Sequence, residues 1–340
     1  MEDVIVRRSK LIVPLNAPEA VERALMCGAD VIILDPGSMP SPSKKDETKA
    51  LLKEWAPVVA KSGSDVFLLI KHDFTYDDLE ACVWPGVDGI VFAKVESAAE
   101  VLNLDKIITE LEGKRDIPKG TVQIDVILQT AKGIWNVYEI IEASTRVMSV
   151  GIGFEDLAAD LGIEIVDEID QFAYAKGRTV VAARSKENLG QDVSTAGEFL
   201  TEVETSFTVG IQPHGLGFIG TSAPSYTDPK RLLEAATSGY DEGFRGYLCT
   251  NPAHVESLNK GFSPSEEVIT YAKKVIEVME TAMKEGKGSA SIDGTMVDVR
   301  TVYPLRMLLA RVDTINAKEK MKARGRELIS KTPGKKGEAR

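Results

Sequence analysis

The sequence predicts an α/β chain folded as a (β/α)8 TIM barrel with an appended C-terminal helical segment. Short apolar runs alternate with helix-period segments through the first 250 of 340 residues, the order that builds a parallel sheet covered by helices. Eight such runs are legible, the number a closed barrel needs. The first run ends in Pro14-Leu-Asn-Ala-Pro18, without the Gly-rich phosphate turn that usually marks an open doubly wound sheet.

The expected strands are Lys10–Leu15, Val31–Asp35, Val66–Lys71, Gly89–Val95, Val122–Leu128, Val147–Ile152, Ser206–Ile211 and Phe244–Cys249. Between them, Leu51, Leu52, Trp55, Val58 and Val59 are spaced for one buried helix face. Val101, Leu102, Leu104, Ile107, Ile108 and Leu111 make a second, broader one. Gly28, Gly63 and Gly86 sit where helices should end and turn back into strands. After the eighth strand a long helix is expected from Pro264 to Lys284, and another helical stretch from Val302, with a short segment between them, Ile292–Asp298, that is polar at its ends. The division that follows is residues 1–262 as barrel, 263–317 as helical extension and 318–340 as a basic, flexible tail.

Composition is that of an ordinary globular protein, 43% hydrophobic and 27% charged. No apolar run approaches the roughly 18 residues of a membrane helix, and Met1–Lys10 lacks the apolar core of a secretory signal. Cys27, Cys82 and Cys249 are odd in number, widely spaced and set in apolar sequence, which reads as buried thiols in a reducing compartment, the cytoplasm. Residues 318–340 hold nine Lys/Arg against three Glu, a local +6 within a net −11, so the rest carries −17. An acidic body disfavours nucleic acid, whose binding relies on neutralising phosphates.

Side chains at the C-terminal ends of barrel strands converge on one face. In order these are Asp35, Lys71 with His72, Lys94 with Glu96, Gln129, Asp156, Pro213-His214 and Asn251. Such a polar crown suits a small anionic substrate and a divalent metal. The sixth strand delivers Gly151-Ile-Gly153-Phe154-Glu155-Asp156-Leu-Ala-Ala-Asp160. Asp156 reads either as a magnesium ligand or as the N-cap of a helix beginning at Leu157. Glu155 faces either the site or solvent, and Asp160 reads as structural. Lys71 meets a substrate anion or forms a rim salt bridge; His72 and His214 are candidate proton shuttles. On the fifth strand Gln123, Asp125, Ile127 and Gln129 share one face. Polar groups there are costly unless paired, so Asp125 is expected to bond to neighbouring strands inside the barrel.

These stretches resemble citrate lyase beta-subunit-like proteins and the related malyl- and citramalyl-CoA lyases. Arg8-Ser9-Lys-Leu-Ile-Val-Pro14 is similar to that family's opening, Gly28-Ala-Asp-Val-Ile-Ile-Leu-Asp35 to its second strand, and Ala93-Lys94-Val95-Glu96-Ser97 to its Pro-Lys-Val-Glu-Ser. Gln129-Thr130-Ala131-Lys132-Gly133 resembles its Glu-Thr-Ala-x-Gly, and Gly153–Asp160 its Gly-x-x-Asp-Leu-Ala-Ala-Asp. Phe262-Ser-Pro-Ser-Glu-Glu267 and Asp293-Gly294-Thr-Met-Val-Asp298 match its C-terminal motifs. The resemblance implies a barrel aldolase that makes or breaks a carbon–carbon bond beside a carbonyl, with Mg2+ as cofactor and an acid or its CoA thioester as substrate. It implies Asp156 and Gln129 at the metal, and Gly153, Phe154, Glu155 and Asp35 at the substrate. It further implies Lys71 and Asp298 as catalytic groups. Asp298 would enter a neighbouring subunit's site, so the partners expected are a small anionic substrate and further copies of the chain in a homo-oligomer, a trimer or hexamer.

Four departures bear on activity. The family's metal-binding Glu falls on Gln129; its acids after the second strand reduce to Asp35 ahead of Pro36-Gly37-Ser38; its substrate Arg has no match in Leu69-Ile70-Lys71-His72; its His-Pro becomes Asn251-Pro252. The expectation is a magnesium-dependent lyase for a small 2-oxo or hydroxy acid, or its thioester, with a diverged site. The alternatives are a non-catalytic barrel that binds a metabolite or partner, and another barrel reaction such as thioester hydrolysis.

Overall fold

The computed structural model describes residues 5–36, 45–165, 170–187, 228–292 and 294–331. Seven strands form one parallel sheet: β1 (Ser9–Pro14), β2 (Val31–Asp35), β3 (Asp65–Lys71), β4 (Gly89–Ala93), β5 (Gln123–Leu128), β6 (Val147–Ile152) and β7 (Tyr247–Cys249). Their order is β6-β5-β4-β3-β2-β1-β7. Consecutive strands pair, and β7 comes back to β1 with Ser9 opposite Tyr247, the curl of a TIM barrel. The expected strand Ser206–Ile211 lies outside the described residues.

Helices α1 (Pro18–Cys27), α2 (Lys45–Lys61), α3 (Tyr76–Cys82) and α4 (Ala98–Lys114) follow the first four strands; α5 (Ala131–Trp135) and α6 (Val137–Glu142) follow β5. Then come α7 (Phe154–Leu161), α8 (Ala173–Glu187), α9 (Pro229–Asp241) and α10 (Val255–Gly261). The glycines expected at helix-to-strand returns adopt left-handed φ of 76°, 82° and 92° at Gly28, Gly63 and Gly86. Two-residue alternation divides the strands. Leu11, Ile32, Leu34, Leu68, Phe92 and Val126 pack against the helices, while Val31, Ile33, Phe67, Val91, Ile127 and Leu248 fill the interior. No helix among the described residues is long and apolar enough to cross a membrane.

The interior turns ionic towards the N-terminal end of the strands. Lys10 Nζ donates to an Asp125 carboxylate oxygen and, at 2.8 Å, to Ser149 Oγ, and Arg7 reaches Asp125 at 3.9 Å. The expectation that Asp125 bonds across strands is therefore met by Lys10 of β1, which also reaches Ser149 of β6. Below this layer Arg8 forks onto Asp30 at 2.8 and 3.0 Å, and Arg7 Nε donates to Asp65 at 2.8 Å.

The C-terminal segment closes that floor. Helix α11 (Glu266–Lys284) leads to a hairpin of β8 (Ser289–Ile292) and β9 (Thr295–Asp298), then to α12 (Val299–Lys331). Residues 318–331 were expected in a solvated tail, yet they are helical: Lys322 is fully buried on Asp30 at 2.5 Å, Lys318 bonds Asp65, and Glu319 meets Arg8 at 2.5 Å. The reason is charge complementarity, since carboxylates at the floor offer partners that solvent would otherwise supply. At Gly325 the helix passes so close to α2's end that a Cβ would sit 2.4 Å from Ser62 backbone atoms. Residues 332–340 lie outside the described set. Ile292–Asp298, expected to be a short polar link, supplies this hairpin's turn and second strand.

Candidate functional site

The C-terminal strand ends form the opposite, open face. By register Asp35, Lys71 and Gln129 extend the inward-facing rows of β2, β3 and β5, since Lys71 stands opposite Ala93, and Ala93 opposite Ile127. Lys71 and His72 are exposed and Asp35 is half-buried. Lys71 has no ionic partner among the described contacts, and the rim salt bridge is not seen. His214, with Pro213, lies outside the described residues.

Gln129 is half-buried, and its Nε2 donates to Asp156 Oδ2 at 2.5 Å. The helix carrying Asp156 starts earlier than expected. Gly153 is the cap of α7 and Phe154 its first residue, so Asp156 is in the first turn and the N-cap reading is replaced by a bond across to β5. Gly153 makes that bond possible: a Cβ there would lie 2.8 Å from Gln129 Cγ and 3.2 Å from its Nε2. Burial raises the Glu155 carboxyl above its ordinary range, and the Asp156 charge beside it adds to the rise. Asp160, expected to be structural, accepts the Ala131 N–H at 2.8 Å at the start of α5.

Phe154 and Asp298 are both engaged within their own chain. Phe154 is buried, its ring 4.7 Å from that of Phe172, so its side chain serves the helix layer rather than the substrate. Apolar surface of that size is worth more packed than wet. Asp298 accepts from Arg300 Nε and Nη2 at 3.0 and 2.9 Å and from the Arg300 and Thr301 backbone. Within its own chain it caps α12, and the Arg300 hydrogen bond holds its carboxyl below the usual range. Asn251 accepts from Ala253 N at 3.0 Å and so caps the turn after β7.

Missed in the sequence is the conformation of Lys94. It has φ of +61°, a left-handed backbone that is rare outside glycine. The sequence carried no signal for it, since Val95 continues the apolar run; in the structure Phe92 and Val95 are both buried among the helices, a spacing of three that regular alternation cannot give.

Could the mouth hold a magnesium ion? Among the described residues no three His, Cys, Asp or Glu side chains gather. Magnesium usually takes only one or two carboxylates and keeps water or substrate oxygens for the rest. Asp156 supplies one carboxylate, and turning the Gln129 amide would present its oxygen in place of the N–H. The donor set fits a weakly held ion that depends on substrate for its remaining oxygens. The thiols take no part: burial pushes Cys82 up to about 12 and raises Cys249.

A family model described as HpcH/HpaI aldolase/citrate lyase matches residues 8–217. Citrate lyase subunit beta of Leuconostoc mesenteroides subsp. cremoris is 29% identical over 88% of this chain and 90% of its own length. The (3S)-malyl-CoA thioesterase of Cereibacter sphaeroides is 26% identical over 91% of this chain and 96% of its own. Among solved structures, CitE of Mycobacterium tuberculosis in complex with magnesium, acetoacetate and coenzyme A aligns with a TM-score of 0.60 at 21% identity, covering 89% of this chain and 97% of that one.

Proposed function

We propose, from the premise that the chain belongs to the HpcH/HpaI aldolase/citrate lyase family, that it is a carbon–carbon lyase for a small 2-oxo or hydroxy acid or its acyl thioester. The observation that carries this reading is the Gln129–Asp156 pair at the open end of the barrel, 2.5 Å apart, with room for the Gln129 side chain left by the missing Cβ of Gly153. Asp156 and Gln129 would hold magnesium, whose chemistry is Lewis-acid polarisation of the acid fragment's oxygens. Lys71, exposed and with no ionic partner among the described residues, supplies the charge that orients a substrate carboxylate, though as a point charge rather than a fork. Asp35 and Glu155 border the bound acid.

Cleavage breaks the bond between the hydroxyl-bearing carbon and the carbon beside the carbonyl. The hydroxyl gives up its proton, and the enolate fragment takes one back. Asp298 from a second copy of the chain is the group assigned to that return, which requires it to exchange Arg300 for the substrate. A homo-oligomer with shared sites follows from this assignment.

One observation favours the second reading, a barrel that binds a metabolite without cleaving it. The Gln129 amide presents its N–H to Asp156, spending on a neutral donor the carboxylate that a metal would need. Calorimetry with magnesium and a 2-oxo acid, singly and together, separates the two. The lyase reading expects binding strengthened by metal, lost in Asp156→Ala, and turnover of a malyl-, citramalyl- or citryl-thioester. Metabolite binding indifferent to magnesium, with no turnover, would overturn it in favour of the binding barrel.

A further inference from the structure

Lys94 stands where β4 ends, between the strand ends that carry Lys71 and Gln129. Regular alternation would turn it into the helix layer, since Phe92 before it is there. The left-handed φ of +61° breaks the alternation. Val95 takes the buried place among the helices, and Lys94 is left exposed at the mouth.

The strain is held by its surroundings. Lys94 N and Val95 N both donate to Ile127 O, at 2.9 and 3.4 Å. Asn136 Nδ2 grips the Glu96 carbonyl at 2.9 Å, and the Glu100 carboxylate accepts from Glu96 N and Ser97 N at 2.8 Å each. The backbone there would suit glycine, which carries no penalty at positive φ. A lysine kept at such a point is an outlier of the kind that clusters at binding and catalytic sites.

Its charge is also unspent. Glu96, the nearest acid in sequence, is engaged by Lys132 at 3.2 Å, and no acid pairs with Lys94 among the described residues. Neighbouring strands run about 4.8 Å apart, so Lys71 and Lys94, neither paired with an acid among the described residues, stand on adjacent strand ends.

We propose that Lys94 is a substrate-binding residue that sets selectivity, taking a second carboxylate of the acid fragment while Lys71 takes the first. This rests on the lyase-or-binding mouth proposed above. It assigns the site to diacids over monoacids, and it explains why a strained position carries a long cationic side chain.

The test is the full-length chain and its Lys94→Gly and Lys94→Arg variants, titrated in magnesium buffer with oxaloacetate, pyruvate and coenzyme A. Lys94→Gly relieves the strained backbone, so its Tm should hold or rise by about 2 °C. Losing a charge-assisted contact should weaken oxaloacetate about 10-fold or more, leave pyruvate and coenzyme A within about 2-fold, and Lys94→Arg should recover most of the loss. Equal loss for both acids, a loss confined to coenzyme A, or no change at all would each overturn the assignment. Wild-type protein that binds neither acid would overturn the mouth reading itself, and this one with it.

Discussion

The two ends of the barrel handle charge in opposite ways. At the floor five buried cations sit on carboxylates: Arg8 and Lys322 on Asp30, Lys318 and Arg7 on Asp65, Lys10 on Asp125. At the mouth Lys71 and Lys94 are exposed with no ionic partner among the described residues, and Asp156 is held by a neutral amide. Paired buried charge fixes structure, because breaking a pair leaves an ion in low dielectric. Unpaired charge at an open rim is stability forgone, and it is useful only if something else arrives to pair with it. The difference assigns folding to one end and recognition to the other.

The largest effect should come from breaking the floor. Asp30 and Lys322 side chains are both 0% exposed, so Asp30→Asn, which leaves Arg8 and Lys322 only the partly exposed Glu319 carboxylate to share, should cost about 3–5 kcal/mol. Asp156→Asn at the mouth should stay within about 1 kcal/mol, as exposed polar changes do. Urea denaturation of the two variants measures both. A mouth variant that proves the more damaging would break the comparison.

Titration sharpens the same contrast. Burial pushes the Asp30 and Asp65 carboxyls up, but Arg8 with Lys322, and Arg7 with Lys318, outweigh it and hold them below the ordinary range. Their contribution is full above the unfolded carboxylate range, about pH 4, and disappears as pH falls through the lower folded values. Lys10 runs the other way: burial outweighs Asp125 and lowers the amine to about 8. Between about pH 8 and the unfolded value near 10.5 the folded chain binds fewer protons than the unfolded one, so this group makes stability rise with pH. Thermal unfolding across pH 7 to 10 should show that rise in the wild type and lose it in Lys10→Met. A slope unchanged by the substitution would assign the effect elsewhere.

Much of this was legible in advance, for physical reasons that also mark the limits. Seven of the expected strands occupy their places, the last shortened to Tyr247–Cys249, because short apolar runs have few other ways to be buried. The Gln129–Asp156 pairing was half visible, since both positions stood at adjacent strand ends. The floor was not, because Lys322 and Asp30 are 292 residues apart and a lysine run looks the same whether solvent or carboxylates receive it. The hairpin between α11 and α12 had a signal in Asp293-Gly294, a dipeptide that favours tight turns, with Gly294 at φ of +85°. The kink at Lys94 was hidden because Val95 prolongs an apolar run that reads as continuous strand.

Gly153→Ala tests whether the mouth depends on room rather than on charge. The added Cβ would meet Gln129 Cγ at 2.8 Å, the middle of a flexible side chain that can move aside. The expected cost in stability is therefore small, about 1 kcal/mol. The displaced amide should leave Asp156, so calorimetry should find magnesium-assisted binding of a 2-oxo acid weakened more than stability. Equal and small losses in both would show that Gln129 does not serve the ion.

The smallest effect expected is at Arg300, and it decides what Asp298 does. Arg300 is exposed, and it holds the Asp298 carboxyl below the ordinary range by a hydrogen bond first and by its charge second. A carboxyl held that low is a poor proton donor near neutrality, because an acid catalyst works best with a pKa near the working pH. Removing the arginine in Arg300→Ala lets the Asp298 pKa rise, while the Thr301 backbone still bonds the cap. If Asp298 returns the proton to the enolate, the alkaline side of the rate profile, where that acid deprotonates, should move to higher pH with little change in Tm. If Asp298 only caps α12, the profile should not move at all, because the groups at the barrel mouth keep their surroundings.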